Sequence, residues 1–109
     1  MIMLKLLTQI KNAMRISHDL LDLTLLSDIQ AGALELYRSG VQPFVTDEDG
    51  EIIVEDGQRL IIEDELIRKA IELYVKAQND YNGKSEQLQQ AFQKLSDSLA
   101  LSGEYSLER

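Results

Sequence analysis

The hydrophobic positions change period twice along this chain. From Asp22 the apolar residues Leu26, Ile29, Ala33, Leu36 and Tyr37 keep to one side of a helix, which Gly40 and then Pro43 should end. Upstream, Ile10 and Met14 recur at helical spacing with Lys11 and Arg15 on the flank. With Thr8 as N-cap they predict a short first helix closing near Ile16. The middle reads differently. Phe44 and Val45 are apolar, and EIIVE (51–55) and QRLIIE (58–63) are β-branched runs joined by Asp56-Gly57, a pair that supplies the positive φ angles of a type I′ turn. They predict a β-hairpin within about 44–63. Helical spacing returns with Asp64 as N-cap and Ile67, Ala70, Ile71, Tyr74, Ala77 and Tyr81 on one stripe, down to a stop at Asn82-Gly83. A fourth helix opens at Ser85, carries Leu88, Ala91, Phe92, Leu95 and Leu99, and ends at Leu101-Ser102-Gly103, ahead of a flexible tail over about 103–109. The expected fold is mainly α: one small four-helix domain with a β-hairpin inserted between helices 2 and 3. An isolated hairpin is marginal in water, so its Ile and Leu side chains must lean on the helices or on a partner chain.

A length of 109 residues allows one core and no second domain, and 44% hydrophobic with 28% charged residues is ordinary globular composition. There is no cysteine, which excludes disulfides and thiolate metal sites and fits an intracellular or redox-indifferent life. MIMLKLLTQI lacks the features of a secretory leader, and no window approaches the length of a membrane span, so a soluble, untargeted chain is expected. The net charge of −8 is concentrated. Between Asp47 and Glu65 lie nine acidic residues and one basic one, Arg59, while the other ten acidic and ten basic residues cancel. Such a chain presents no basic face, which disfavours nucleic-acid binding.

The acidic stretch TDEDGEIIVEDG also matches part of a calcium loop. With Gly50 at the sixth position, Asp47, Asp49, Ile52 and Asp56 fall at positions 3, 5, 8 and 12 of an EF-hand. Position 1 is then Val45, which has no side-chain ligand, and Pro43 breaks the entering helix. The hairpin accounts for the same residues with fewer exceptions, leaving a weak, adventitious cation site as the alternative. Ser17-His18-Asp19 sets a hydroxyl, the only imidazole and a carboxylate side by side in sequence. Neighbours in sequence rarely point at one another, so a polar turn capped by Ser17 or Asp19 is expected rather than a triad. With no glycine-rich phosphate loop and no metal-spaced cluster either, the chain is not expected to be an enzyme or to hold a cofactor. Tyr74, Tyr81 and Phe92 are read as packing between helices 3 and 4 rather than a platform for bases. Lys11 with Arg15, and Arg68 with Lys69 and Lys76, are read as solvated basic stripes.

Taken in order, LLTQIKNAMRISHDLLD (6–22), LYRSGV (36–41) and DELIRKAIELYVKAQNDYNGKSEQLQQAFQKLSDSLALSGEY (64–105) resemble the small head-tail connector, or head-completion, proteins of long-tailed bacteriophages and prophages. The likeness spans nearly the whole chain. It departs where the family commonly has a proline before the third helix, since Glu65 stands ahead of Leu66 here. The resemblance implies a helical subunit of a ring of about a dozen copies. That ring would sit under the portal protein and join the DNA-filled head to the next tail-proximal connector or stopper. DNA would pass through without sequence-specific reading, no membrane would be involved, and the subunit would reside in the host cytoplasm during assembly and then at the head-tail junction of the virion. It transfers no active site. The expected contact elements are the projecting 47–63 segment, with Asp47, Glu48, Asp49, Glu51 and Arg59, and the tail after Gly103, with Tyr105 and Arg109, ordering on docking. A reading from another class is a small acidic regulatory or DNA-mimic protein that binds a basic partner through the same acidic segment.

Overall fold

A computed structural model describes residues 2–106 of the chain, with side chains from Lys5 onward. Four helices, α1 (Ile2–Ala13), α2 (Asp22–Arg38), α3 (Glu65–Gln78) and α4 (Ser85–Leu101), carry most of the chain, and a two-stranded antiparallel hairpin, β1 (Val54–Glu55) with β2 (Gln58–Arg59), is inserted between α2 and α3. The expected class is the observed one.

α3 is the hub. It packs against α1, α2 and α4 and buries Ile67, Ala70, Ile71, Val75 and Ala77, the face that the stripe in the sequence marks out. Asp64 caps it as expected, its carboxylate accepting from the Leu66 and Ile67 amides at 2.9 and 3.1 Å. Against it α2 brings Leu25, Ile29, Ala33 and Leu36, and buried Gly32 lets the helices close, because a Cβ there would meet the Tyr74 ring at 3.0 Å. Tyr74 meets Phe92 of α4 edge-on at 5.3 Å between ring centres, so the aromatic pair is interhelical packing. Ser96, fully buried on α4, has no hydrogen-bond partner for its hydroxyl among the described residues.

Helix ends depart from expectation where packing overrides local signals. α1 begins before Thr8 rather than at it, because Leu6, Leu7, Ile10 and Met14 all fall on one buried face that extends the helix toward its start. It closes at Ala13, short of Ile16, in a Schellman motif. The Ile16 amide bonds back to the Lys11 carbonyl at 2.9 Å and the Arg15 amide to that of Asn12 at 3.1 Å, which puts Arg15 in the left-handed region at φ 59°. α2 ends in the same motif with a better residue, Gly40 at φ 96°, followed by fully buried Val41. Neither Ser17 nor Asp19 caps α2; its N-cap is Leu21, without a side-chain bond, and Asp19 is engaged by Lys11 instead. α3 stops at Gln78 rather than Asn82-Gly83, and a single 3-10 turn (Tyr81–Gly83) leads to α4. There Ser85 does not cap. Its hydroxyl donates to the Ala77 carbonyl at 2.9 Å, stapling the start of α4 to the last turn of α3.

The insertion is more than one hairpin. Residues 43–45 pair with 60–62 as a stem, residues 46 and 52 bridge to close a first arm over 47–51, and β1 and β2 form a second arm around Asp56-Gly57, both at positive φ as the turn type requires. At the junction the Val45 amide donates to the Leu60 carbonyl, the Leu60 amide to the Ile53 carbonyl and the Ile53 amide to the Val45 carbonyl, each at 2.9 Å. This closed triangle supplies in cis what a lone hairpin lacks, and Phe44 and Ile61 of the stem are buried in the core. No partner chain is needed to complete it.

Two substitutions report on these departures. Arg15→Gly removes left-handed strain of about 1–2 kcal/mol and gives back part of it through unfolded-state entropy, for a net gain of up to about 1 kcal/mol. Ser96→Ala removes a buried hydroxyl with no partner and should add about 1 kcal/mol. Both are read as a higher urea midpoint at unchanged slope.

Candidate interaction surfaces

The first arm is built around one side chain. The Asp47 carboxylate accepts from the amides of Asp49 and Glu51 at 2.9 and 3.0 Å, while its own amide donates to the Glu51 carbonyl at 2.9 Å and its carbonyl accepts from Gly50 at 3.1 Å. Asp47, Glu48, Asp49 and Glu51 are thus brought together at an exposed tip. Asp47 spends an oxygen on the turn itself, and the described residues contain no group of three or more His, Cys, Asp or Glu placed to hold a metal ion. Glu55 and Asp56 crown the second arm, and none of these six carboxylates forms an ion pair among the described residues.

Arg59, nominated with the tip, lies lower. Its backbone is gripped by the Gln30 side chain of α2, which donates to the Arg59 carbonyl at 3.0 Å and accepts from its amide at 3.3 Å. Its guanidinium stands 5.8 Å from the centre of the Phe44 ring. The second arm is therefore fixed to the helical body by a side-chain amide acting as a strand neighbour.

Tyr105 is held elsewhere. Its hydroxyl donates to both oxygens of Asp64, at 3.2 and 3.0 Å, its carbonyl accepts from the Gln42 amide at 2.8 Å, and Ser106 bridges Val41 in antiparallel fashion. The tail expected to stay loose until docking is, through residue 106, already strapped to the body. The bond to Asp64 keeps the proton on the phenol and raises its pKa, with burial and the Asp64 and Glu104 charges adding to the effect. Arg109 lies outside the described residues.

The basic stripes are not free faces. Glu72, 7% exposed on α3, collects Arg68 at 3.0 Å, Lys76 at 3.2 Å and Lys69 at 3.5 Å. Burial raises the Glu72 pKa, but the hydrogen bond from Lys76 and the charges of Lys76, Lys69 and Arg68 outweigh it, leaving the carboxyl below its ordinary value. Likewise Lys11 bridges Asp22 at 2.8 Å and Asp19 at 2.9 Å across the turn between α1 and α2. His18 accepts at Nδ1 from the Leu20 amide at 3.3 Å, and Asp19 faces Lys11, so the Ser17-His18-Asp19 triplet is a turn and not a relay.

The exposed leucines are the surface feature that helical periodicity left unnoticed. Leu20 and Leu23, at 87 and 85% exposure, flank partly exposed Leu21 where α2 begins, and Leu101, at 88%, ends α4. A signal existed in the run DLLDL, which has more leucines than one helix face can bury. Compared with known proteins, the chain matches no family model, and no curated protein or solved structure is significantly similar to it.

The Glu72 centre makes a pH prediction. Because folding lowers this pKa, its contribution is complete above the unfolded value, near the ordinary 4.5, and disappears as pH falls through the lower folded value. Glu72→Gln should cost about 1–3 kcal/mol at pH 7. The gap between the two proteins should narrow steadily in urea titrations run from pH 5 downward.

Proposed function

We propose that the chain is a structural interaction protein of a long-tailed phage or prophage, a subunit of a ring at the portal vertex that joins the DNA-filled head to the tail. Two things support this reading. The sequence resemblance covers the helices and their order. The observation that carries it on the structural side is the placing of Leu20, Leu23 and Leu101, large side chains left almost wholly in water at element ends. Burying each against a neighbour is worth about 1.5–3 kcal/mol, a gain open to a subunit that meets other chains and forgone by one that does not. The acidic arms fit the same reading. Repeated around a ring lining a channel, their carboxylates would repel passing DNA.

The second reading, an acidic regulator or DNA mimic, is favoured by the same unpaired carboxylates on the two arms. Valence separates the two. A connector must associate into a closed ring, whereas a mimic works as a monomer or dimer bound to a basic protein.

The test supplies the template. Purified chain is mixed with portal-bearing, DNA-filled heads lacking their own connector, and the vertex is imaged by electron microscopy. Ring density at the portal with restored tail attachment is the expected outcome; bare portals, where a known connector binds under the same conditions, transfer the proposal to the acidic regulator. In assembled particles, a variant carrying Glu48→Gln, Asp49→Asn and Glu51→Gln should still bind but release DNA more slowly. Unchanged ejection kinetics would remove the channel role of the arms.

A further inference from the structure

The segment that follows α4 makes contacts that do not depend on which molecule supplies it. Tyr105 and Ser106 lie in a groove whose one side is the backbone at Val41 and Gln42 and whose other side is Asp64 with Ile62 and Ile67. The recognition is compact. It includes an antiparallel bridge, made through the Gln42–Tyr105 backbone bond at 2.8 Å, and a phenol that donates to a carboxylate already fixed by the α3 amides. Beside the strap an open surface pocket of about 220 Å³ lies between Gln42, Ile62, Asp64, Ile67, Glu104 and Tyr105. The approach to the groove has a hinge. α4 ends at Ser102, extended at φ −80° and ψ 130°, and a turn closed by the Tyr105 and Ser106 amides on the Ser102 carbonyl, at 3.2 and 3.0 Å, spans Gly103; a Cβ placed on Gly103 would have no neighbour within 4 Å, so the chain can cross over here once that turn opens. Immediately before the hinge stands Leu101, 88% exposed.

We propose that residues 103–106 are an exchangeable strap, docking in the groove of their own chain in an isolated molecule and in the same groove of a second copy when chains are concentrated. The occupant is argued from the groove itself. It already recognises a Tyr-Ser segment through main-chain pairing and a carboxylate-bound hydroxyl, and a second copy carries that segment in unchanged form. The contacts with the groove broken on release are remade in exchange, while the turn bonds from the Tyr105 and Ser106 amides to the Ser102 carbonyl are given up, so the balance is decided by what the new arrangement adds. Crossing over at Gly103 brings the end of one α4 against the body of the next chain, and this buries Leu101, which is 88% exposed among the described residues. Exchange that is reciprocal gives a dimer; exchange passed on from copy to copy gives a ring or a chain of subunits. The dimer does not depend on the connector reading, while a ring built this way would deepen it by naming the bond between subunits.

The chain's lack of cysteine makes the test direct. Val41 and Ser106 face one another across an antiparallel bridge, where Cα atoms lie about 4.5–5.5 Å apart, within the reach of a disulfide. Two single variants, Val41→Cys and Ser106→Cys, are mixed at millimolar concentration and oxidised mildly, and the products are separated without reductant and identified by mass. Exchange predicts that the mixed dimer joining Cys at 41 to Cys at 106 predominates over the Ser106→Cys homodimer, and that adding Tyr105→Ala abolishes this excess. In the chain carrying both changes, the linkage should pass from within one molecule at micromolar concentration to between molecules at millimolar. A double variant that closes only on itself at every concentration, with no excess of mixed dimer from the single variants, overturns the proposal. If Val41→Cys impairs folding by circular dichroism, sedimentation equilibrium of the unchanged protein against Tyr105→Ala replaces it: association at millimolar concentration that Tyr105→Ala abolishes is expected, and monomers of both at every concentration overturn the proposal. Neither result depends on portal binding, so the strap and the connector reading stand or fall separately.

Discussion

A single carboxylate governs the junction on which the fold turns. Asp64 lies where the stem of the insertion ends, where the central helix begins and where the chain returns after α4; its carboxylate serves the last two, and its amide donates to the Ile62 carbonyl of the stem at 3.0 Å. An N-cap of this kind is worth about 1 kcal/mol on its own. Here the same oxygens also receive the Tyr105 hydroxyl, so the start of α3 and the strap share an anchor. α3 in turn touches every other helix. A disturbance at Asp64 therefore reaches the core, the insertion and the strap together, although the residue is only partly buried.

The charges are sorted by a related logic. On the helical body, carboxylates find cations nearby: Glu72 takes three, Lys11 takes two aspartates, and Lys5 meets Glu63 between α1 and the stem. Within each cluster opposite charges offset part of the repulsion between like ones. The six carboxylates of the two arms form no ion pair among the described residues and have only Arg59 as a cation on the same element, so more than half of the excess negative charge is carried by the part of the molecule that stands away from the core. That division allows a chain of net charge −8 to fold around tightly packed helices, because the uncompensated charges sit where water and salt screen them.

Much of this was legible in the sequence because the signals were local or periodic. The α3 stripe, the Asp64 cap, the Gly40 stop and the Asp56-Gly57 turn depend on a few neighbouring residues, and all four stand where expected except for the end of the stripe, since α3 stops at Gln78 before Tyr81. The start of α1 did not, because burial of Leu6 and Leu7 against distant residues outweighs the capping preference of Thr8. The Glu72 cluster could have been found, since Arg68 and Lys76 sit four residues to either side of it. The closed triangle of Val45, Ile53 and Leu60 could not. It joins three backbone segments whose side chains say nothing of the pairing, and each looks locally like half of a hairpin. The Tyr105 latch was hidden for the same reason, with 41 residues separating the phenol from its acceptor.

The triangle has a bearing on how freely this protein can vary. Once Val45, Ile53 and Leu60 are bonded to one another, the turn over 47–51 lies outside the closed unit and is held by the Asp47 carboxylate and its own backbone. Nothing in the core reads the residues at its apex. Replacement of that apex by a longer or differently charged loop leaves the junction intact, much as the leaves of a clover can differ in size on one stalk. The site is thus a natural place to graft a foreign peptide, a fluorophore tag or an affinity epitope without asking the helices to refold around it.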